Sequence, residues 1–176
     1  MHLVAEVGGV RVAIVHGDAH SLAGWDYSRE RLADPAHRRD MRSDFSATGA
    51  RVIASSHTCL PVLAEFDTAD GHAVLINNGA AGMPNFTRTR HGVITRISIR
   101  PVAGANALYG SRIDRIHIDA LPLHYNHTSW LSRFCANWPA GSSAHSSYFH
   151  RIVNGPGASQ QADAHLMMHA DYPEHT

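Results

Sequence analysis

The sequence contains no lysine: all of its basic residues are arginine, and Lys+Arg and Asp+Glu each count 15, for a formal net charge of zero. A nucleic-acid-binding domain normally carries a basic excess, so a nucleic-acid partner ranks low. Only two cysteines occur, Cys59 and Cys135, with no CxxC spacing. That excludes a disulfide scaffold and points to a reducing compartment, expected to be the cytoplasm. No apolar run approaches the ~20 residues of a membrane helix. The opening Met1-His2-Leu3-Val4-Ala5-Glu6 lacks the basic start and long apolar stretch of a secretory leader, so neither a membrane segment nor a signal peptide is expected. Charged residues make up 17% and hydrophobic ones 44% of the chain, the balance of a globular protein and not of a disordered one. Its 176 residues point to one domain; at that size ~70% of the unfolded surface is typically buried.

What the sequence has in excess is histidine, with 15 residues. His165, His169 and His175 fall in a polar C-terminal stretch and are expected to be solvated. For the others, the question is which sit where a metal ligand must sit, since imidazole is the commonest such ligand.

Leu3–Val7 and Val10–Val15 read as a hairpin around Gly8-Gly9. Ser28 to about Thr48 reads as helix, with Ser28 as N-cap, Gly49 as stop and a division at Pro35. Arg51–Ala54, Val62–Phe66 and His72–Asn77 read as strands, and Gly92–Arg100 alternates apolar and polar residues with the period of a half-exposed strand. Pro101–Gly110 reads as loop and Ile113–Ile118 as strand. His127–Trp138 reads as a helix with Trp130, Phe134 and Trp138 in the core and Cys135 as a buried small hydrophobe. Ser146–Val153 reads as the last helix, with Gly141–His145 leading into it. The expected organisation is one domain over residues 1–155 and a flexible tail over 156–176, of α/β or α+β class.

Two of these strands end in histidine within a turn of small residues: Val15-His16-Gly17-Asp18 and Ser55-Ser56-His57-Thr58-Cys59. A third ends in Asn77-Asn78-Gly79-Ala80. Ligands gather at the carboxyl ends of strands in open α/β sheets, and imidazole and thiolate suit zinc and other transition metals. A single histidine after a strand also serves commonly as a structural hydrogen-bonder. Arg88, Arg90, Arg96 and Arg100 read as a solvated face.

The order of these pieces resembles the C-terminal half of the calcineurin-like metallophosphoesterases. That family carries a lone His, often as His-Gly, then Gly-His-x-His after the next strand, then an Asn-Pro-Gly-Ser loop. His16 matches the lone His. Ser56-His57-Thr58-Cys59 matches Gly-His-x-His with Ser for Gly and Cys for the second His, and Asn77-Asn78-Gly79-Ala80 matches the loop with two changes. The resemblance covers about residues 1–101, and Ala120–Tyr125 looks like the tail of bacterial members. It implies the C-terminal half of a four-layer α/β/β/α sandwich with extra C-terminal helices. It also implies a hydrolase acting on phosphate mono- or diesters, small molecules or nucleotides, through two divalent metals of the Zn, Mn or Fe type. His16 and His57 would ligate one metal, and Cys59 would stand where the other metal's histidine stands.

The family's earlier motifs, Asp-x-His, Gly-Asp and Gly-Asn-His, have no counterpart. Asp18-Ala19-His20 spells the first, but it lies directly after the His-Gly and the other two do not follow it. The expectation is therefore an incomplete, weakly active or inactive portion of an enzyme, with an unpaired edge at Val10–Val15 or Arg51–Ala54 and an uncovered apolar face. The alternative is a non-catalytic metal-binding or partner-binding domain that keeps the sheet and the two imidazoles.

Overall fold

A computed structural model describes residues 3–104 and 106–166. β1 (Leu3–Val7) and β2 (Val10–Ile14) form the expected antiparallel hairpin, with Gly8 and Gly9 both at positive φ as a two-residue primed turn requires. The chain then crosses through three short helices, α1 (Arg29–Ala33), α2 (Pro35–Asp40) and α3 (Arg42–Thr48), to β3 (Val52–Ser55). Ser28 caps α1 by accepting from the Arg31 N–H, and Asp34 caps α2, where Pro35 takes the first position. Gly49 ends α3 in the left-handed conformation.

β4 (Val62–Thr68) and β5 (Gly71–Asn77) form the next antiparallel pair. The first sheet runs β1-β2-β3-β5-β4-β9, with β9 the short strand His165–Leu166 and with β2, β3 and β5 mutually parallel. A second, antiparallel sheet runs β6 (Gly92–Ser98), β8 (Ile116–Leu123), β7 (Tyr109–Ile113). Both faces of the first sheet are covered, so its central strands are continuously apolar. On one face Ala13, Ile53, Leu75 and Phe66 pack against Tyr27, Leu32 and Phe45 of the helical crossover. On the other, Val12, Val52, Val74 and Ile76 pack against Val93, Ile116 and Ile118 of the second sheet. The layers are helix, sheet and sheet, in a mixed α+β fold. α4 (His127–Asn137) and α5 (Ser143–Asn154) pack on each other, joined by the His127 ring and the Ile152 carbonyl at 2.8 Å, and are tied to the β5–β6 loop by the Arg88 N–H donating to the Asn154 carbonyl.

Several expectations change. Tyr109 and Gly110, read as the end of a loop, begin a strand, and the expected single strand at Ile113–Ile118 is split by a hairpin turn at Asp114-Arg115, with Ile113 ending β7, Ile116–Ile118 opening β8 and Asp114 at φ 50°. Tyr109-Gly110-Ser111-Arg112 carries no apolar alternation to reveal it. Residues 156–166, expected as tail, include a 3-10 turn (Gln161–Ala164) and β9 (His165–Leu166), which pairs with β4. His165 is half-buried there, 3.5 Å from the Glu65 carboxylate, and not solvated. His169 and His175 lie outside the described residues.

Of the aromatic set on α4, only Phe134 is buried; Trp130 and Trp138 are exposed, and so is Cys135. The helix touches the body along one narrow stripe. β2 and β3 are both paired on both sides, so the unpaired edge is not theirs. The sheet ends instead at β1, where Leu3 is 72% and Val4 47% exposed. An apolar groove of about 430 Å³ lies between Ala5, Val7, Ile14 and Ala54 of this sheet and Ile94 and Ile97 of β6.

Leu75 sits fully buried on the helix-facing side of β5. Leu75→Ala is expected to lower the unfolding free energy by about 2–5 kcal/mol, from lost burial plus the cavity left behind. Urea unfolding with an unchanged m-value checks it; a loss under 1 kcal/mol would mean the two packed faces do not exist as described.

Candidate functional site

The parallel pairing of β2, β3 and β5 brings their carboxyl ends together, and each continues into a polar turn. The ends of β2 and β3 are locked by small hydroxyl residues. Ser55 Oγ donates to the Gly17 carbonyl at 2.6 Å, and the Ser56 N–H donates to the His16 carbonyl at 3.2 Å.

This locking sets His16 against His57. His57 Nδ1 and His16 Nε2 are 3.2 Å apart, with the rings edge-on at 5.0 Å between centroids. His57 adopts φ 40° and Cys59 φ 63°, both in the left-handed region that bulky side chains avoid. The surrounding turn over-determines that conformation. Thr58 is buried between the two and accepts from the Asn77 side-chain amide at 2.8 Å. Arg151 donates to the Cys59 carbonyl, and Arg29 donates to the Pro61 carbonyl at 3.0 Å. Burial lowers the pKa of both guanidinium groups, that of Arg151 being supported in part by the neighbouring Cys59. Trp25, exposed on the loop after β2, stands edge-on to His57 at 5.7 Å.

Cys59 does not join the pair. Its thiol donates back to the His57 carbonyl at 3.2 Å. Among the described residues, no group of three or more His, Cys, Asp or Glu side chains gathers as a metal cage. The two imidazoles nevertheless have the spacing of two ligands on one tetrahedral zinc, roughly 3–3.5 Å between nitrogens. They therefore fit as part of a coordination sphere, two positions out of four.

Asp18-Ala19-His20 has a different role from a metal motif. The Asp18 carboxylate is almost completely buried and accepts from the backbone N–H groups of His20 and Ser21 at 2.9 and 2.8 Å, and of Asp26 at 3.4 Å. It closes the 18–26 loop on itself, and a Cβ at Gly24 would overlap it. Its oxygens are committed to backbone. The His20 ring, itself exposed, reaches Asp44 Oδ1 at 3.2 Å, while the buried Tyr27 hydroxyl donates to Asp44 Oδ2 at 2.8 Å.

Asn77 links this layer to the histidine turn. Fully buried, it donates to the Tyr27 carbonyl and to Thr58 Oγ1, and accepts from the Gly79 N–H at 2.9 Å. Ser56 Oγ then donates to the Gly79 carbonyl, and Asn78 donates to the Val93 carbonyl of β6. The Asn77-Asn78-Gly79-Ala80 segment is thus a structural clasp between both sheets. Tyr27, Asp44, Arg29 and Arg151 carry no motif; Arg29, Asp44 and Arg151 lie in segments that read as helix, Tyr27 lies just before the first of them, and nothing in the local pattern marks any of the four. Of the arginines read as a solvated face, Arg88, Arg90 and Arg100 are exposed, while Arg96 pairs with Asp119 at 3.2 Å.

No family model matches the chain, and no curated protein does. Solved structures do match. A metallophosphoesterase from Sphaerobacter thermophilus superposes with a TM-score of 0.52 at 14% identity, over 88% of this chain and 57% of that one. A hypothetical protein from Pyrococcus horikoshii OT3 superposes with a TM-score of 0.50 at 13% identity, over 89% of this chain and 51% of that one. The chain thus has a remote metallophosphoesterase-like fold and spans little more than half the length of the structures it matches.

Tyr27→Phe is expected to cost about 1.5–3 kcal/mol of stability, because the buried Asp44 carboxylate loses a donor. Burial, and then the Asp44 charge and hydrogen bond, push the Tyr27 phenol far above its ordinary value. A group raised on folding adds stability that is complete below its unfolded pKa and is lost as pH climbs past it. The wild-type chain should therefore weaken above about pH 10, and the variant less steeply by about 1.4 kcal/mol per pH unit. Chemical denaturation from pH 8 to 11 reads the difference; parallel curves would remove Tyr27 from this role.

Proposed function

We propose that this chain carries one side of a metal-dependent phosphoesterase site, with His16 and His57 as ligands to a divalent cation of the Zn, Mn or Fe type. The observation that carries the proposal is the 3.2 Å approach of His57 Nδ1 to His16 Nε2 from the ends of adjacent parallel strands. Without a metal the contact is a hydrogen bond between imidazoles. With one, both imidazoles would serve as its ligands, and the bonds from the Ser55 hydroxyl to the Gly17 carbonyl and from the Ser56 N–H to the His16 carbonyl hold the two turns together. Cys59 is proposed as a third ligand. Releasing its weak hydrogen bond to the His57 carbonyl costs little, and thiolate is a competent zinc ligand.

When bound, a divalent cation supplies Lewis-acid stabilisation of charge on a phosphoryl oxygen. The chain's own contribution is to hold the two rings in fixed orientation and to wall one side of the site with Trp25. The metallophosphoesterase-like fold supports this reading. Because the chain spans only part of its structural neighbours, hydrolysis of phosphate mono- or diesters is proposed of the complete site in a cytoplasmic protein. Weak turnover or none is expected of the 176 residues alone.

A second reading, a non-catalytic metal-binding or partner-binding domain, is favoured by one specific observation. The carboxylate nearest in sequence, Asp18, is fully used by backbone donors. No bridging oxygen ligand is therefore offered by that residue.

Zinc titration by calorimetry tests both. The wild-type chain should bind one Zn²⁺ in a site that His16→Ala with His57→Ala removes, leaving only background from the other histidines. Cys59→Ser should weaken that site without abolishing it. Binding should weaken on acidification, since imidazole must shed its proton to ligate. Equal stoichiometry and affinity in the wild type and the double variant would end the metal assignment. Metal binding with no turnover, even when the chain is supplied with the rest of such a fold, would favour the second reading.

A further inference from the structure

The first sheet ends at β1, and that edge carries none of the devices that keep a sheet from pairing with a foreign strand. β1 has no proline, no lysine and no bulge. Its residues pair in unbroken register with β2, from Leu3 with Ile14 to Val7 with Val10. Its one charge is Glu6. Leu3 and Val4 are exposed, and so is Ile14 beside Leu3.

The hairpin decides which backbone groups face outward. Across a two-residue turn the flanking residues, here Val7 and Val10, exchange both backbone hydrogen bonds, and antiparallel pairs then alternate along the ladder. Leu3, Ala5 and Val7 therefore turn their N–H and C=O groups into β2. Val4 and Glu6 turn theirs to the open edge, where β1 has no neighbour among the described residues. Side chains alternate between the two faces as well. Ala5 and Val7 line the apolar groove, together with Ile14 and, across from them, Ile97. Leu3 shares their face; Val4 and Glu6 share the other.

We infer that this edge is an interface between two copies of the chain, formed by antiparallel pairing of β1 with β1 of a second copy about a two-fold axis at Ala5. Three observations choose that occupant. The formal net charge is zero, so two copies approach without net repulsion. An axis at Ala5 sets Val4 opposite Glu6 of the second copy, and these are the residues whose backbone groups are free to exchange hydrogen bonds. An axis at Glu6 would instead set two carboxylates opposite each other, and one at Val4 would carry Glu6 and Val7 past the end of the facing strand. On the groove face, the axis at Ala5 sets Leu3 opposite Val7 of the second copy. The 72% exposed Leu3 side chain of each copy then lies at the mouth of the other's groove. The contact is self-complementary and closes at two copies, because the far edge of the sheet is the two-residue strand β9. It stands apart from the metal reading, since neither histidine turn takes part.

Sedimentation equilibrium of the 176-residue chain over a range of concentrations tests the pairing, together with residue-resolved hydrogen exchange. A reversible monomer–dimer equilibrium is expected. The Val4 and Glu6 amides should be protected at high concentration and exchange freely on dilution, while those of Ala5 and Val7 stay protected by β2 at both. Val4→Pro removes an outward donor and leaves the β1–β2 ladder whole, so it should weaken association by about fivefold or more, the loss of two symmetry-related hydrogen bonds. Far-UV circular dichroism checks that this variant keeps its fold. Val4→Lys and Val4→Glu place opposite charges at one exposed point, facing Glu6 of the second copy. Their dimer dissociation constants should differ by about tenfold, with the Lys variant tighter, and added salt should narrow the gap. A chain that stays monomeric at every concentration would overturn the proposal, whether the edge is left open or is kept for a strand of another protein. Equal association of Val4→Lys and Val4→Glu, a dimer whose Val4 and Glu6 amides exchange freely, or assembly beyond two copies would overturn it equally.

Discussion

The side chain of Asn77 joins three parts of the molecule that are far apart in the chain. Its amide donates to the Tyr27 carbonyl in the loop before the helical layer and to Thr58 in the histidine turn, while its carbonyl accepts from Gly79 in the loop beyond β5. It is fully buried, so each of these bonds must be made, because an unpaired amide in that environment costs more than the bond contributes when formed. This all-or-none requirement fixes the turn geometry that a string of surface contacts could not. Thr58 in place means His57 and Cys59 on either side of it are held at positive φ, and Gly79 in place means Ser56 has a carbonyl to bind.

The meeting of His16 and His57 follows from that clasp and from the parallel ladder. Parallel strands end side by side, so side chains that follow equivalent strand positions emerge next to each other, although 41 residues separate these two. Twisting the His57 backbone into the left-handed region is unfavourable taken alone. The surrounding bonds from Arg29, Arg151 and Asn77 outweigh it. Strained residues held by buried networks are common where a protein keeps side chains ready for a ligand, and here the strain falls on the residue whose ring approaches His16.

Histidine and carboxylate contents do not by themselves distinguish ligands from structural groups. Asp18 and His20 show why. In sequence they spell the opening of a two-metal motif. In three dimensions the Asp18 oxygens are filled by the N–H groups of its own loop, and His20 leans on a carboxylate 24 residues away that is already held by Tyr27. A short polar residue before a tight turn has a local hydrogen-bonding option, and that option competes directly with metal ligation. Trp130 and Cys135 make the same point for apolar groups. Helical spacing identifies a face, but how wide a stripe is covered depends on what packs against it, and α4 rests on its neighbours mainly through Phe134.

Local chemistry was enough to read the hairpin at Gly8-Gly9, the caps at Ser28 and Gly49, the break at Pro35, the apolar strands and the two strand-ending histidines. Each depends on backbone preference or on apolar periodicity within a few residues. The pairing order, the exposure of β1 and not β2 or β3, the strand at Tyr109–Ile113 and the return of His165 to pair beside β4 were decided only by the tertiary structure. So were the turning of the Cys59 thiol away from the histidines and the Asn77 clasp. These are relations between segments tens of residues apart, and they are settled by which buried polar groups find partners and which apolar faces find cover, quantities that no local stretch of sequence contains.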